Sequence, residues 1–432
     1  MLPQPSPDSP PAAGPAGLRV AGKFFRRGAE KVFLNGVSYG PFRSNERGEP
    51  FPEEVRLKAD LAHIRALGFN LVRLYELPST LFMAIAEELG LSLLVSIPWT
   101  DHVDFLQTHA QRRAIEQQVL RAVAQLKQHA CIAGFLVGNE IEKTLVRWLG
   151  PLRVQRFLEH LIALGRKEAP EHLFSYATYP STEYLAPRNA DFLAVNLYLE
   201  QPEALTAYLQ RLQNLAGNKP LLITEFGMDV ARHGEMFQAD AVRWEWRCLR
   251  QAGVAGRVWF SYTDEWYRGG KEVTEWRFGL VNAERQPRLA CAVLEALPAA
   301  LPDESASPRI SVVVCTRNGS ATLSACLSSL AQLRYPNHEI ILIDDGSTHD
   351  IAAIALCFPQ VRYLRQEHAG LSVARNLGAS LASGEIIAYT DDDCLVDEDW
   401  LTYLATAFDD PQWVAAGGPN IPPPPRNRVE AI

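Results

Sequence analysis

From about residue 30 to residue 297 the chain switches period again and again. Short extended runs of apolar residues alternate with stretches that carry apolar residues at helical spacing. Eight such runs read as strands: Lys31–Val37, Asn70–Leu74, Leu91–Ile97, Ile132–Val137, Leu173–Tyr176, Phe192–Asn196, Pro220–Thr224 and Arg257–Ser261. Helical patterns lie between them, at Glu53–Leu67, Arg112–Gln128, Val146–Arg166, Glu203–Leu215 and Asp240–Gln251. Strands joined through helices run parallel, and a parallel sheet must have both faces covered. Eight strand–helix units in this length fit a closed (β/α)₈ barrel, for which about 250 residues is typical.

The pattern restarts after a proline-bearing polar stretch, residues 298–308. Ile310–Cys315, Glu339–Ile343, Val361–Arg365 and Glu385–Thr390 read as strands, with helices at Ala321–Gln332 and Leu371–Ala382. This is the opening half of a doubly wound nucleotide-binding fold. The expected fold class is therefore α/β: a (β/α)₈ barrel over residues 30–297, then an incomplete Rossmann-like domain over 309–432. Residues 1–29 are read as a proline-rich disordered tail and lead-in, and the chain is expected to stop short of the closing elements of its second domain.

Composition narrows the function classes. The net charge of −8 with no basic run argues against nucleic acid as a partner. The seven cysteines include no CxxC pair and no zinc spacing, which points to reduced thiols in a cytoplasmic protein. No apolar run is long enough to span a membrane. Membrane association remains open for a longer natural chain.

Two fragments carry the barrel's chemistry: Gly138-Asn139-Glu140 after the fourth strand and Thr224-Glu225-Phe226-Gly227 at the seventh. Barrel active sites form at the C-terminal ends of strands. Glycosidic cleavage needs two carboxyl groups facing each other across a sugar ring. One Glu after a strand is more often a helix cap or a rim ion pair. Two of them, with Asn before the first, favour catalysis.

On these residues, and on "VFLNGVSYGPF", "FNLVRLYELPS", "FLVGNE", "FLAVNLY" and "KPLLITEFG", the barrel resembles the clan A retaining glycoside hydrolases, particularly family 2. The resemblance implies Glu140 as general acid/base and Glu225 as nucleophile, with carboxyls about 5–5.5 Å apart. It also implies that Asn139 binds the sugar 2-hydroxyl, that Arg73 lies beside Glu225, and that Tyr198 donates to Glu225. Trp99 and Trp266 are candidate sugar platforms, although an aromatic residue is more often packing. The clan's tryptophan at the eighth strand falls on Phe260 here, so Trp259 or Trp266 is expected to fill that place, or the subsite differs. No cofactor is expected for the barrel.

The second domain resembles family 2 glycosyltransferases of the GT-A fold, on "ISVVVCTRN", "IDDGST" and "GLSVARNLGASLASGEIIAYTDDDC". The resemblance places Thr316, Asp344, Arg375 and Asp391 around a nucleotide sugar. Asp393 and Asp391 would hold Mg²⁺ or Mn²⁺, because hard cations take carboxylate oxygens. The family's catalytic base lies beyond residue 432, so transfer by this chain alone is not expected. The combined expectation is a retaining β-glycosidase or transglycosylase joined to a nucleotide-sugar glycosyltransferase, acting on an oligo- or polysaccharide. One alternative is a barrel that only binds glycan and presents it to the transferase. The other is a scaffold in which neither site works.

Overall fold

A computed structural model describes residues 17–297, 308–409, 412–418 and 420. The proline-rich tail, nearly all of the 298–308 linker and the run from Ile421 onward lie outside the described residues. The chain divides into two compact units, Met1–Ala299 and Ala300–Ile432.

The first unit begins with an antiparallel sheet of three short strands: β1 (Leu18–Ala21), β2 (Phe24–Arg27) and β3 (Glu30–Val32). Eight parallel strands follow: β4 (Leu34–Ser38), β5 (Leu71–Leu74), β6 (Ser92–Ser96), β7 (Ile132–Asn139), β8 (Leu173–Thr178), β9 (Leu193–Asn196), β10 (Leu221–Phe226) and β11 (Gly256–Trp259). They close into a barrel in sequence order, with β11 paired to β4. The eight-stranded parallel barrel is therefore as expected. Two local details differ. The expected first strand, Lys31–Val37, is split between the small sheet and the barrel, and the helix expected over Val146–Arg166 is broken at Gly150 into Lys143–Leu149 and Pro151–Glu168.

Two cores hold this unit. The larger packs the outward faces of the strands against the surrounding helices, with Leu61, Ile64, Phe82, Val119, Leu158, Leu209 and Val242 buried in it. The smaller joins Leu34, Leu71, Leu94, Leu136, Leu222 and Val258 from the barrel to Leu18 and Phe25 of the small sheet. Leu34, Leu71 and Leu222 lie in the N-terminal halves of their strands, so β1 and β2 cover that mouth with side chains. The opposite mouth is left for chemistry. There the excursion after β11 adds a two-stranded hairpin, β12 (Tyr267–Arg268) and β13 (Lys271–Glu272), before the closing helix Leu289–Ala296.

The second unit is a parallel sheet in the order β16-β15-β14-β17, built from β14 (Ile310–Thr316), β15 (His338–Asp345), β16 (Val361–Gln366) and β17 (Ile386–Asp391). The strand order reverses between β14 and β17. In such sheets ligands bind outside the carboxyl ends of the strands at that reversal. The central strands are apolar on both faces, as a covered parallel sheet requires. All seven cysteines are free thiols, five of them buried.

Candidate active site

Arg73 of β5 is the centre of the barrel site. It is 0% exposed, and its guanidinium donates to five neighbours: Glu225 Oε1 at 2.8 Å, the Thr224 carbonyl at 2.6 Å, Asn196 Oδ1 at 3.0 Å, Asn139 Oδ1 at 2.6 Å and, at 3.5 Å, Ser96 Oγ. A buried cation is tolerated when it is paired and its protons find acceptors. Here a single arginine links β5, β6, β7, β9 and β10.

The ladder is irregular where the site needs it. Pairing of β7 with β8 slips between Leu136 and Asn139, and pairing of β10 with β9 slips between Ile223 and Glu225. Such irregularities re-aim side chains at barrel rims. Just past β7, Glu140 takes a positive φ of 48°, unusual for a residue with a Cβ and of the kind found at functional sites. Its amide donates to the Ala177 carbonyl at 2.9 Å. Gly227 follows Glu225 where a Cβ would lie 2.4 Å from the Phe260 carbonyl oxygen.

The two carboxylates sit in different surroundings. Glu225, 6% exposed, accepts from Arg73 and from Tyr75 (2.7 Å) on Oε1, and from Tyr198 (2.8 Å) on Oε2. These three donors, one of them a cation, occupy both oxygens and fix the direction of the carboxyl. Burial first, and the Glu225 charge as well, hold both phenols well above the ordinary tyrosine value, so they stay protonated donors. Glu140 has one described donor, Asn196 Nδ2 at 2.9 Å. Burial, then the charge of Glu225, push its carboxyl up to about 7. The two carboxyls at this mouth are thus unequal, one held by three donors and the other by one.

Asn139 Oδ1 is occupied by Arg73 and by Asn196 Nδ2 at 3.0 Å, so its own amide protons remain available to the cleft. Tyr198 is 39% exposed, its ring edge against Phe260 and Phe278. Tyr75 and Asn196 were not singled out in the sequence. Each was legible by alternation, since Arg73 and Tyr75, or Asn196 and Tyr198, are two apart and share a side.

The aromatic expectations fare less well. Trp99 is half-buried under Gly138, its indole donating to the Val137 carbonyl at 2.7 Å and its ring edge against Phe105. It supports β7. Trp266 is only 7% exposed and lies between Tyr75 and Phe260 (centroids 5.2 and 4.9 Å), so it walls the site from behind. Trp259 is 1% exposed in the core, leaving Phe260 at the position expected for tryptophan. His102 and Asp101 form a solvated loop pair at 3.9 Å.

In the second unit, Asp391 ends β17 and accepts from Arg375 on the helix Leu371–Leu381 at 2.8 Å. Asp391 and Asp393 are both exposed. Thr316 is buried and donates to Asp392. Asp344 is 0% exposed, with both oxygens occupied by the Ser347 amide (2.8 Å) and the Tyr363 hydroxyl (2.9 Å). Thr316 and Asp344 thus brace the loops at the strand ends where the nucleotide sugar is expected. Asp345 has the same role, its carboxyl held well below the ordinary value by Ala369, Gln366, His368 and Gly370 donors against the cost of burial. No group of three or more His, Cys, Asp or Glu side chains among the described residues forms a metal cage.

Comparison with known proteins separates the two units. Residues 311–428 match the family model described as Glycosyl transferase family 2. Curated relatives include glycosyltransferase GlyG of Streptococcus pneumoniae, 40% identical over 103 residues (23% of this chain, 34% of that protein), and glycosyltransferase GlyA of the same organism, 35% over 100 residues (22% and 14%). The glucosyl-dolichyl phosphate glucuronosyltransferase of Haloferax volcanii is 29% identical over 121 residues (26% and 39%). The chain spans well under half the length of these relatives. Among solved structures, the β-glucuronidase of Ruminococcus gnavus with D-glucuronic acid has a TM-score of 0.57 at 15% identity, covering 65% of this chain and 51% of that one. That of Bifidobacterium dentium has 0.54 at 18%, covering 65% and 48%. At these identities the likeness is one of fold.

Proposed function

Starting from a family 2 glycosyltransferase domain joined to a glycoside hydrolase-like barrel, we propose that the barrel is a retaining β-glycosidase or transglycosylase and that the second unit binds a nucleotide-diphosphate sugar. The observation that carries the first part is the contrast between Glu140 and Glu225 at one mouth of one barrel: a carboxyl pushed to about 7 beside one bound to a buried arginine and two tyrosines.

In this reading a Glu225 oxygen attacks the anomeric carbon. The bond to the leaving group breaks as the Glu140 proton passes to the glycosidic oxygen. Glu140, now ionised, takes a proton from water or from a sugar hydroxyl, whose oxygen displaces Glu225. The free amide of Asn139 is placed to donate to a sugar hydroxyl, and Tyr75 and Tyr198 keep Glu225 in line. Resolution by a sugar hydroxyl makes the reaction a transfer, so the same site serves remodelling of a polysaccharide.

In the second unit, the exposed carboxylates of Asp391 and Asp393 fit a Mg²⁺ or Mn²⁺ ion whose remaining ligands come from a diphosphate, and the ion would neutralise phosphate charge. Arg375 orients Asp391. Nucleotide sugars are made inside cells, which favours a cytoplasmic site of action. No described helix is long and apolar enough to cross a membrane.

The test is intact-mass analysis after incubation with activated 2-deoxy-2-fluoro β-glycosides of gluco, galacto, manno and glucurono configuration, followed by peptide mapping. A stable adduct on Glu225 is expected. Binding of glycans without an adduct across the panel would replace the glycosidase with a binding module.

A further inference from the structure

Behind the nucleophile lies a cleft of about 650 Å³ that neither Glu140 nor Glu225 lines. It is enclosed by the excursion that follows β11, together with the start of the helix Glu235–Gln251 and Arg56. One ring separates it from the reacting centre. Trp266 lines the cleft and contacts Tyr75, whose hydroxyl donates to Glu225 at 2.7 Å. The Trp266 indole N–H has no acceptor among the described residues, although the side chain is 93% buried (100 − 7). A buried donor without a partner costs stability and calls for an acceptor. Beside it, Trp276 is 38% exposed, with its centroid 6.3 Å from that of Trp266.

The polar lining is close to neutral. Arg288 and Asp264 neutralise each other at 2.5 Å, and Glu265 is paired with Arg285 and Arg56. Glu235 also faces Arg288 at 3.6 Å and Glu272 pairs with Arg43 from outside the lining, which leaves Arg277 and Glu284 opposite in sign. A part-exposed indole and paired polar groups are what a neutral pyranose ring uses: stacking on its C–H face and hydrogen bonds to its hydroxyls.

Direction follows from the barrel. β11 stands four strands from β7 whichever way the eight-membered ring is counted. Glu140, just past β7, protonates the leaving oxygen, so the leaving group lies on its side of the cleft. A sugar held behind β11 must then belong to the opposite end, beyond the residue attached to Glu225.

We propose that this cleft binds a further neutral sugar of the substrate on the non-leaving side, so that the enzyme cuts or transfers within a chain and does not remove single terminal sugars. The inference rests on the retaining-glycosidase reading. Its test compares the rates of Glu225 trapping by the fluorinated monosaccharide donors above with those of their β-1,3- and β-1,4-linked disaccharide counterparts. At least one disaccharide should trap about tenfold faster than its monosaccharide, and Trp276→Ala and Arg277→Ala should each cut that ratio several-fold. Equal rates for every pair, or a ratio that neither substitution changes, would overturn the extended site while leaving the glycosidase intact. A blank with every donor would overturn the glycosidase reading and this inference with it.

Discussion

Replacing Glu225 by glutamine should lower the pKa of Glu140. Glu140 stands at about 7 against an ordinary 4.5; burial is the largest cause and the Glu225 charge the second, opposed by the Asn196 hydrogen bond and by Arg73 and Arg268. A ceiling for the Glu225 contribution follows from Coulomb's law. Two unit charges about 5.5 Å apart at an effective dielectric constant near 20 repel by about 3 kcal/mol, or roughly two pH units. Two effects act on that figure in opposite directions. Arg73, 2.8 Å from Glu225, makes the native neighbour partly a dipole and weakens the repulsion. Once Glu225 is neutral, Arg73 is left unbalanced and favours the ionised form of Glu140. A fall of about one to two pH units is expected. It is measured by ¹³C titration of glutamate carboxyls, the Glu140 signal being identified by its loss in Glu140→Gln. A pKa unchanged within about half a unit, or one that rises, would refute the coupling. The sign for stability is fixed by the same group. Between about 4.5 and 7 folded Glu140 holds a proton that an unfolded glutamate has released, so its contribution to stability declines as pH rises through that window. In Glu225→Gln the window should narrow.

Arg73→Met leaves Glu225 without its buried counter-charge and should cost about 3–5 kcal/mol in urea unfolding; a loss under about 1 kcal/mol would contradict the pairing described. Tyr198→Phe removes one charge-assisted hydrogen bond to Glu225, worth about 1.5–3 kcal/mol. On a donor that labels Glu225, kcat should fall about 10- to 100-fold, and full activity would remove Tyr198 from the site. Gly227→Ala places a methyl group against the Phe260 carbonyl and should destabilise the barrel by about 1–3 kcal/mol in the same unfolding assay. For the second unit, calorimetry should detect UDP only when Mn²⁺ is present. EDTA and Asp393→Asn should each abolish the signal, and binding that survives both would exclude the carboxylate pair as the metal site.

The barrel was legible because its strands are uniform. Runs such as Ile132–Val137 and Leu221–Thr224 are buried along their length, and the helices between them carry a separate period. The small sheet at Leu18–Val32 was not foreseen, since strands of three or four residues with mixed burial leave too little period to read. Within the site, Glu140, Glu225, Arg73, Asn139 and Tyr198 came from motifs at strand ends, where position in a barrel fixes direction. The tryptophans did not, because a ring serves equally as platform or as packing and only tertiary contacts decide. For Asp344 the motif located the loop, while its full burial came from Ser347 and Tyr363 closing over it. The cleft beyond Trp266 was out of reach of any pattern, because residues 260–288 follow neither period.

Arg73, on β5, draws its partners from β6, β7, β9 and β10, strands spread around more than half of the ring. The bonds to β9 and β10 cannot form until the sheet has curled shut, and once it has they form together. Ionisation of the nucleophile, aim of the asparagine and closure of the barrel are thus a single cooperative event. On the proposed function, a partly opened barrel would be not a weak enzyme but an inert one, so turnover would double as a reporter of whether the ring is closed.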